Sequence, residues 1–264
     1  MAGGLPLSFD LVYDRALLAK ARAEAAAYRY EEGRRLLAKA GSADGSADVR
    51  PDARAAFEDF RLALRFQSGY NDAAELLEKA RALGSDRIAV GYFDSASQDA
   101  DSLAFLALLR GDCESALFQA AQGRDLVRVG PLDGANILVS GQLLSFRIEE
   151  PRLRMRKESF HTEGQGRGTL THYSRRASVS ATVAYRAVDL ENSLTLAARS
   201  LSDSIGESRE WGTWEGDRAA LPPRYSSLVQ AGEGSAGEGS ATDLMARLAA
   251  RMDSAFAASF IRSR

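Results

Sequence analysis

The chain has 264 residues, of which 45% are hydrophobic and 27% charged, and its formal net charge is -2. This composition is typical of a globular protein with one large or two small domains, and the bulk charge provides no attraction to nucleic acid or to anionic membranes. The single cysteine, Cys113, excludes a disulfide within the chain and any metal site built from several cysteines. Its neighbours at helical spacing are apolar, so we predict that it is a buried core residue. No run reaches the roughly 18–20 apolar residues that a membrane-spanning helix needs.

Two segments of the N-terminal region repeat one another. Residues 30–40 (YEEGRRLLAKA) match residues 70–80 (YNDAAELLEKA) at the aromatic residue, the Leu-Leu pair and the closing Lys-Ala. Each copy follows another stretch with helical apolar spacing, which predicts two helix-turn-helix units. The pattern resembles the tetratricopeptide repeat, although the start-to-start spacing exceeds the 34 residues of that family. The loop 41–52 is rich in Gly, Ser and Asp and accounts for the additional length.

Two repeats are fewer than the three that usually form an independent solenoid. We therefore expect residues 1–84 to dock on the rest of the chain or to pair with another copy, as an adaptor or spacer. A plain array of helices without a ligand is the alternative.

A second domain begins after Gly84, where residues 87–93 predict a buried strand. Residues 99–122 predict an amphipathic helix with acidic residues in its first turn, where the helix dipole favours them. Two further strands are predicted at 125–129 and 135–148. The apolar stripe of the helix consists of Leu103, Leu106, Leu109, Cys113, Leu117 and Ala120.

Alternation of apolar and polar residues predicts a long, half-buried strand from about 169 to 190. A turn at 189–192 leads to a return strand at 193–204. The predicted buried face of the 169–190 strand consists of Val179, Ala181, Val183, Tyr185 and Ala187.

The C-terminal end of the chain combines a flexible linker with a helix. Residues 231–240 are rich in glycine and serine and predict the linker. The helix at 241–264 carries an apolar stripe that must be buried, and we expect it to pack on the sheet beside the 99–122 helix. A helix that faces a partner is the alternative. The stripe consists of Leu244, Leu248, Met252, Phe256 and Phe260, widened by Met245 and Ala249.

Two of the strand segments carry a resemblance to a known family. Residues 134–146 (GANILVSGQLLSF) resemble an Ala-Asn-Ile-X-Val-X-Gly strand of the curli-secretion, or CsgG-like, family. Residues 177–190 (ASVSATVAYRAVDL), followed by 193–198, are similar to the hairpin of that family. The resemblance covers roughly residues 86–205 and rests on strands that define a fold and not on a chemical signature.

The resemblance implies an α+β protein with four parts. TPR-like helical hairpins (1–84) precede a CsgG-like α/β sandwich with a mixed sheet (85–230), the linker (231–240) and a C-terminal helix (241–264). It also implies a location in the bacterial periplasm or at the outer membrane. We expect the native protein to be a lipoprotein, with its lipid anchor on a leader that precedes Met1; without a leader the protein would be cytoplasmic.

Family members that form the secretion channel insert two hairpins per subunit into the membrane. The first corresponding segment here, 152–176, begins with three arginines at alternate positions and ends with two more, and the second, 202–218, is rich in acidic residues. An arginine at the middle of the bilayer costs about 2–4 kcal/mol in such a hairpin. We therefore predict that neither segment spans a membrane, that the protein is not itself a pore, and that the first segment projects as a hairpin.

The arginines of the first segment and the tryptophans of the second are the candidate contact residues. The arginines can bind phosphate or an acidic partner, or they form a solvated or acid-paired sheet face. The tryptophans lie in a stretch predicted as a loop, 211–217, where they act as a recognition surface or cover a sheet edge. The candidate partner-binding residues are Arg152, Arg154, Arg156, Arg175, Arg176, Trp211 and Trp214.

No motif supports catalysis, and we predict a non-enzymatic protein. The chain has no Gly-X-Ser-X-Gly nucleophile elbow, and the glycines at 164–168 lack the helix start of a phosphate loop and predict a turn. His161 and His172 could approach each other across a hairpin, but no further ligand stands at metal-site spacing. We expect no cofactor and no metal.

We therefore predict a protein-binding scaffold or regulator in secretion or cell-envelope assembly, which binds other envelope proteins or itself. The alternative is a cytosolic nucleic-acid-binding module that uses the basic hairpin 152–176. Only Phe160 and Tyr173 interleave with its basic residues, which disfavours that alternative.

Overall fold

The computed structural model describes residues 15–42, 48–162, 166–233 and 241–263. The described chain divides into two compact units: the residues up to Asp86 with Gly123–Arg128, and Arg87–Gln122 with the residues from Val129 onward. The predicted α+β class is confirmed, because the described residues form N-terminal helices, a mixed sheet and a C-terminal helix.

Three helices make up the first unit: α1 (Arg15–Gly41), α2 (Arg50–Phe66) and α3 (Ala73–Gly84). The prediction of a helix-turn-helix within residues 15–41 was wrong, because α1 runs through without a turn. Half of residues 21–30 are alanine and the others are charged or aromatic, and none is a glycine or proline that would stop a helix. The second predicted unit has the expected form, with α2 and α3 joined by a short turn.

Aromatic side chains of α1, of α2 and of the turn before α3 pack together in the core of this unit. Tyr30 of α1 packs edge-to-face against Phe60 of α2, at 6.1 Å between ring centroids, and against Tyr70, at 5.4 Å. A side chain at Gly33 would lie within 2.9 Å of the Phe60 ring, so this glycine lets α1 approach α2 closely. The two tyrosines that align in the sequence repeat therefore meet in one core.

The second unit contains most of the sheet, although Asp86 of the first strand and residues 127–128 of the second strand belong to the first unit. The elements after α3 are, in chain order, β1 (Asp86–Ser95), α4 (Ala100–Ala121), β2 (Val127–Val129), β3 (Ile137–Thr162), β4 (Gly166–Asp189), β5 (Leu194–Gly216), α5 (Ser226–Glu233) and α6 (Ala241–Arg262). The strand order is β2-β1-β3-β4-β5. Strand β1 is parallel to β3, and β4 is antiparallel to both β3 and β5.

Helix α4 begins at an N-cap, where the side chain of Asp99 accepts a hydrogen bond of 2.8 Å from the backbone N–H of Ser102. Cys113 is fully buried on its inner face, as predicted, and burial raises the pKa of its thiol above the ordinary value. The predicted stripe was wrong at Leu103, which is 46% exposed, because Phe105 takes the buried position.

Helix α6 packs on α4 and on β4 and β5, and its predicted stripe is buried from Leu244 to Phe260. The predicted face of β4 is buried with it. Tyr185 lies at the centre, where its ring stacks on Phe256 at 4.5 Å and its hydroxyl donates a 2.8 Å hydrogen bond to Oδ1 of Asp253. The C-terminal helix is therefore part of the main core.

The three long strands differ from their predicted bounds. Strand β3 does not end at 148 but continues to Thr162, with a register irregularity between Glu149 and Arg152. Pro151 falls at this bulge, where a missing backbone N–H is tolerated. The expected second hairpin at 202–218 was also wrong, because β5 pairs with β4 without interruption as far as Gly216.

Two predicted connections lie partly outside the described residues. The linker 231–240 begins inside α5, which includes residues 231–233, and residues 234–240 are not described. In the predicted turn at 164–168, Gly166 and Gly168 belong to β4, and residues 163–165 are not described.

Candidate partner-binding site

The outer ends of β3, β4 and β5 form a three-stranded extension, which we call the distal arm (residues 152–162, 166–176 and 208–216). All six residues from Arg152 to Lys157 in β3 are exposed, so neither face of this strand is covered. The described residues of the arm carry eight basic and three acidic side chains, a net charge of +5, against -2 for the whole chain. The arm is therefore a basic region on a slightly acidic protein.

Strand register divides the five candidate arginines between the two faces of the arm. Arg152 lies directly opposite Arg176, and Arg154 and Arg156 follow at alternate positions of β3. These four side chains share one face, the arginine face. Arg175 lies on the other face, opposite Leu153. The five residues therefore do not form one surface.

Two acidic residues neutralise only part of the arginine face. Nε of Arg156 lies 3.0 Å from a carboxylate oxygen of Glu158, and Nε2 of His172 lies 3.5 Å from one of Glu210. Arg152 and Arg176 instead oppose each other with like charges, an arrangement that destabilises a sheet.

Trp214 is packed into the arm near its tip. Its ring contacts Phe160 at 5.9 Å between centroids, and its indole N–H donates a 3.1 Å hydrogen bond to the backbone carbonyl of Asp217. Any side chain at Gly168 would overlap the Trp214 ring, so this glycine provides the space for it. The predicted loop at 211–217 was wrong, because these residues as far as Gly216 form the end of β5.

The face opposite the arginine face carries what we call the aromatic row: Leu153, Met155, Tyr173 and Trp211. Met155, Tyr173 and Trp211 are directly opposite one another on three neighbouring strands. The Tyr173 and Trp211 rings stack at 5.4 Å between centroids with 13° between their planes. Leu153 is 59% exposed and Met155 is 60% exposed.

Sequence reasoning identified Trp211 but missed Leu153 and Met155. Both alternate with arginines, so a hydropathy average over this stretch is polar. The strand period of two would have placed them together on one face.

The two histidines do not meet. His161 lies opposite Arg167, whereas His172 lies opposite Arg156, several residues farther along the same hairpin. The approach across the hairpin that the sequence allowed is therefore not formed. Among the described residues, no group of three or more His, Cys, Asp or Glu side chains is placed to hold a metal ion.

In the part of the chain that the structure describes, no helix combines the length and apolar character needed to cross a membrane.

No family model and no curated protein matches the chain. Among solved structures, the chain is similar to the PelC dodecamer from Paraburkholderia phytofirmans, with 15% identity over 64% of this chain and 88% of that chain and a TM-score of 0.25. It is also similar to a minor lipoprotein from Acinetobacter baumannii, with 10% identity over 66% and 94% of the chains and a TM-score of 0.25. A hypothetical protein from Chlamydia trachomatis is 12% identical over 68% and 99%, with a TM-score of 0.33.

Likenesses of this degree assign neither an activity nor a partner to the chain. The CsgG-like and tetratricopeptide-like resemblances stay predictions.

Proposed function

We propose that this protein is a non-enzymatic scaffold or regulator of the bacterial envelope that binds other proteins through its distal arm. The observation that carries the proposal is the aromatic row, in which exposed Leu153 and Met155 adjoin the stacked pair Tyr173 and Trp211. The envelope assignment, as a periplasmic lipoprotein, rests on the CsgG-like strands at 134–146 and 177–190.

The composition of the arm suits a protein interface. Tryptophan, tyrosine, methionine and arginine are enriched where proteins bind one another, and tryptophan and arginine frequently supply most of the binding energy. The aromatic row adjoins Lys157, Arg175 and Arg209 on the same face. An acidic protein surface with an apolar centre therefore complements this face of the arm, since opposite charge steers association and fixes orientation.

The division of the arm's basic residues between two faces disfavours a nucleic-acid module. Proteins that bind single strands combine a basic groove with aromatic side chains that stack on the bases. A strand stacked on Tyr173 and Trp211 would meet Lys157, Arg175 and Arg209, which share their face. It would not meet Arg152, Arg154 and Arg176, which lie on the other face.

Capture from envelope extract by the purified protein tests the proposal. We expect Met155→Glu to reduce recovery of the bound protein by about tenfold or more, because it places a carboxylate in the contact surface. Leu144→Glu is the matched control, since Leu144 lies on the same strand and is 55% exposed. Equal recovery by the two variants, or recovery that depends on nuclease-sensitive material, would contradict the proposal.

A further inference from the structure

Three arginines converge on the arginine face of the distal arm. Arg152 and Arg176 are directly opposite each other across β3 and β4, which places their Cβ atoms roughly 4.5–5.5 Å apart. Arg154 is two residues farther along β3 on the same face, about 6.6–7 Å away. All three side chains are exposed. Together they form what we call the arginine triad.

The arginine triad has no acidic partner among the residues that the structure describes, although carboxylates lie nearby. Glu158 is paired with Arg156, and Glu210 lies beside His172. Glu149 accepts a 2.8 Å hydrogen bond from the hydroxyl of Ser178. Each of these three carboxylates is thus engaged elsewhere, and none of the described acidic side chains neutralises the triad.

The like-charge pair is built into the strand register. Between Glu149 and Arg152 strand β3 advances three residues while β4 advances only two, from Ser178 to Arg176. This bulge brings Arg152 opposite Arg176; regular pairing would have placed Pro151 there. The fold therefore places two arginines directly opposite each other despite the repulsion between their charges, and a bound anion would relieve that repulsion.

We propose that the arginine triad binds an extended acidic segment of a partner protein, with carboxylates at alternate positions. This inference rests on the proposed function, because it specifies part of the partner that the arm binds. Side chains on one face of an extended strand recur about every 6.6–7 Å, which matches the spacing of Arg152 and Arg154. The planar guanidinium pairs with a carboxylate through two parallel hydrogen bonds.

Fluorescence anisotropy with a labelled peptide of alternating Glu and Thr tests the site on the full chain. We expect saturable binding that weakens with added salt, and clearly weaker binding of the matched peptide of alternating Gln and Thr. The triple variant R152Q/R154Q/R176Q should lose at least about tenfold in affinity. The variant R110Q/R199Q/R247Q is the control, since it removes the same charge from three exposed arginines outside the distal arm; it should lose no more than about threefold.

A thermal scan without any peptide gives an independent result. R176Q should unfold at the same or a higher temperature than the unchanged protein, because it removes the like-charge pair. A clearly lower midpoint would mean that Arg176 has a stabilising structural role, and the proposal would be wrong.

Other outcomes separate this inference from the proposed function. The triad would not be a peptide site if the triple and control variants lost equal affinity, or if the acidic peptide did not bind. Tighter binding of a single-stranded oligonucleotide or of inorganic phosphate would also overturn it. If Met155→Glu still abolished capture of the envelope partner, the proposed function would survive that failure. If the peptide bound the triad but no partner depended on Met155, the proposed function would fail and the acidic-peptide site would stand.

Discussion

The covered part of the long sheet and the distal arm have the same strand pairing but different surroundings. From Val179 to Asp189, every second residue of β4 is buried, and α6 packs against this part of the sheet. In the arm, Arg152–Lys157 of β3 are exposed at six successive positions. An apolar side chain on the covered face therefore stabilises the fold, whereas one on the bare face of the arm can serve binding.

The largest expected contrast between the two regions is in stability. Phe256→Ala removes a fully buried ring that stacks on Tyr185, so the free energy of unfolding should fall by about 3–5 kcal/mol. Met155→Ala in the arm should change it by less than about 0.5 kcal/mol. Urea unfolding followed by circular dichroism measures both. A comparable loss in the two variants would mean that the aromatic row is part of the core.

The stability of the covered region should also depend on pH. Burial raises the pKa of Asp253 to about 8, the hydrogen bond from Tyr185 lowers it, and the nearby charge of Asp112 raises it. Cys113 of α4 lies close to Asp253 of α6, and burial raises the pKa of the Cys113 thiol above its ordinary value.

Between about pH 4 and pH 8, the folded protein keeps the proton on Asp253 that the unfolded chain has released. The free energy of unfolding should therefore fall by up to about 1.4 kcal/mol per pH unit as the pH rises, and this contribution should level off above about pH 8. Asp253→Asn removes it, so the variant should gain stability relative to the unchanged protein from pH 5 to pH 8. Urea unfolding of both proteins at several pH values checks this, and parallel pH profiles would contradict it.

Packing near the tip of the arm should contribute less to the free energy of unfolding than packing in the core. Gly168→Ala forces the ring of Trp214 to move, and we expect a loss of about 1–3 kcal/mol together with altered tryptophan fluorescence. Gly111→Ala is the control, because nothing lies within 4 Å of the added methyl group and alanine favours the helix. Unchanged fluorescence in Gly168→Ala would show that Trp214 does not lie over this glycine.

A small effect on stability is expected from the stacked pair of the aromatic row. Trp211→Ala removes the stack on Tyr173, which is worth roughly 0.5–1.5 kcal/mol at most on a partly exposed surface. Partner binding should nevertheless fall by about tenfold or more. Titration calorimetry with the captured partner, alongside urea unfolding, measures the two quantities. A large loss of stability with unchanged binding would assign Trp211 a structural role.

The covered region was predictable from the sequence because its signals are local. The alternation from Val179 to Ala187 and the four-residue spacing of the α6 stripe each identify a buried face without knowledge of any partner strand. The continuous α1 was missed because the repeat suggested a turn where no residue requires one.

The surface of the arm was less predictable because it depends on pairing between distant segments. Trp211 lies opposite Tyr173 only because of the strand register, which is set by the turn after Asp189 and by the irregularity at Ala187 and Val188. Arg152 meets Arg176 only through the bulge in β3. Sequence patterns identified these residue types but could not show which of them share a face across strands.

Photo-cross-linking in living cells tests most directly whether the arm, and not the rest of the long sheet, is a contact surface. A photoreactive phenylalanine derivative would replace Met155 in the arm or, in a parallel strain, Leu144 on the same strand; the two side chains are 60% and 55% exposed. We predict a discrete protein adduct from position 155 that weakens when Trp211→Ala is added, and no adduct from position 144. No adduct from position 155, or equal adducts from both positions, would contradict the account.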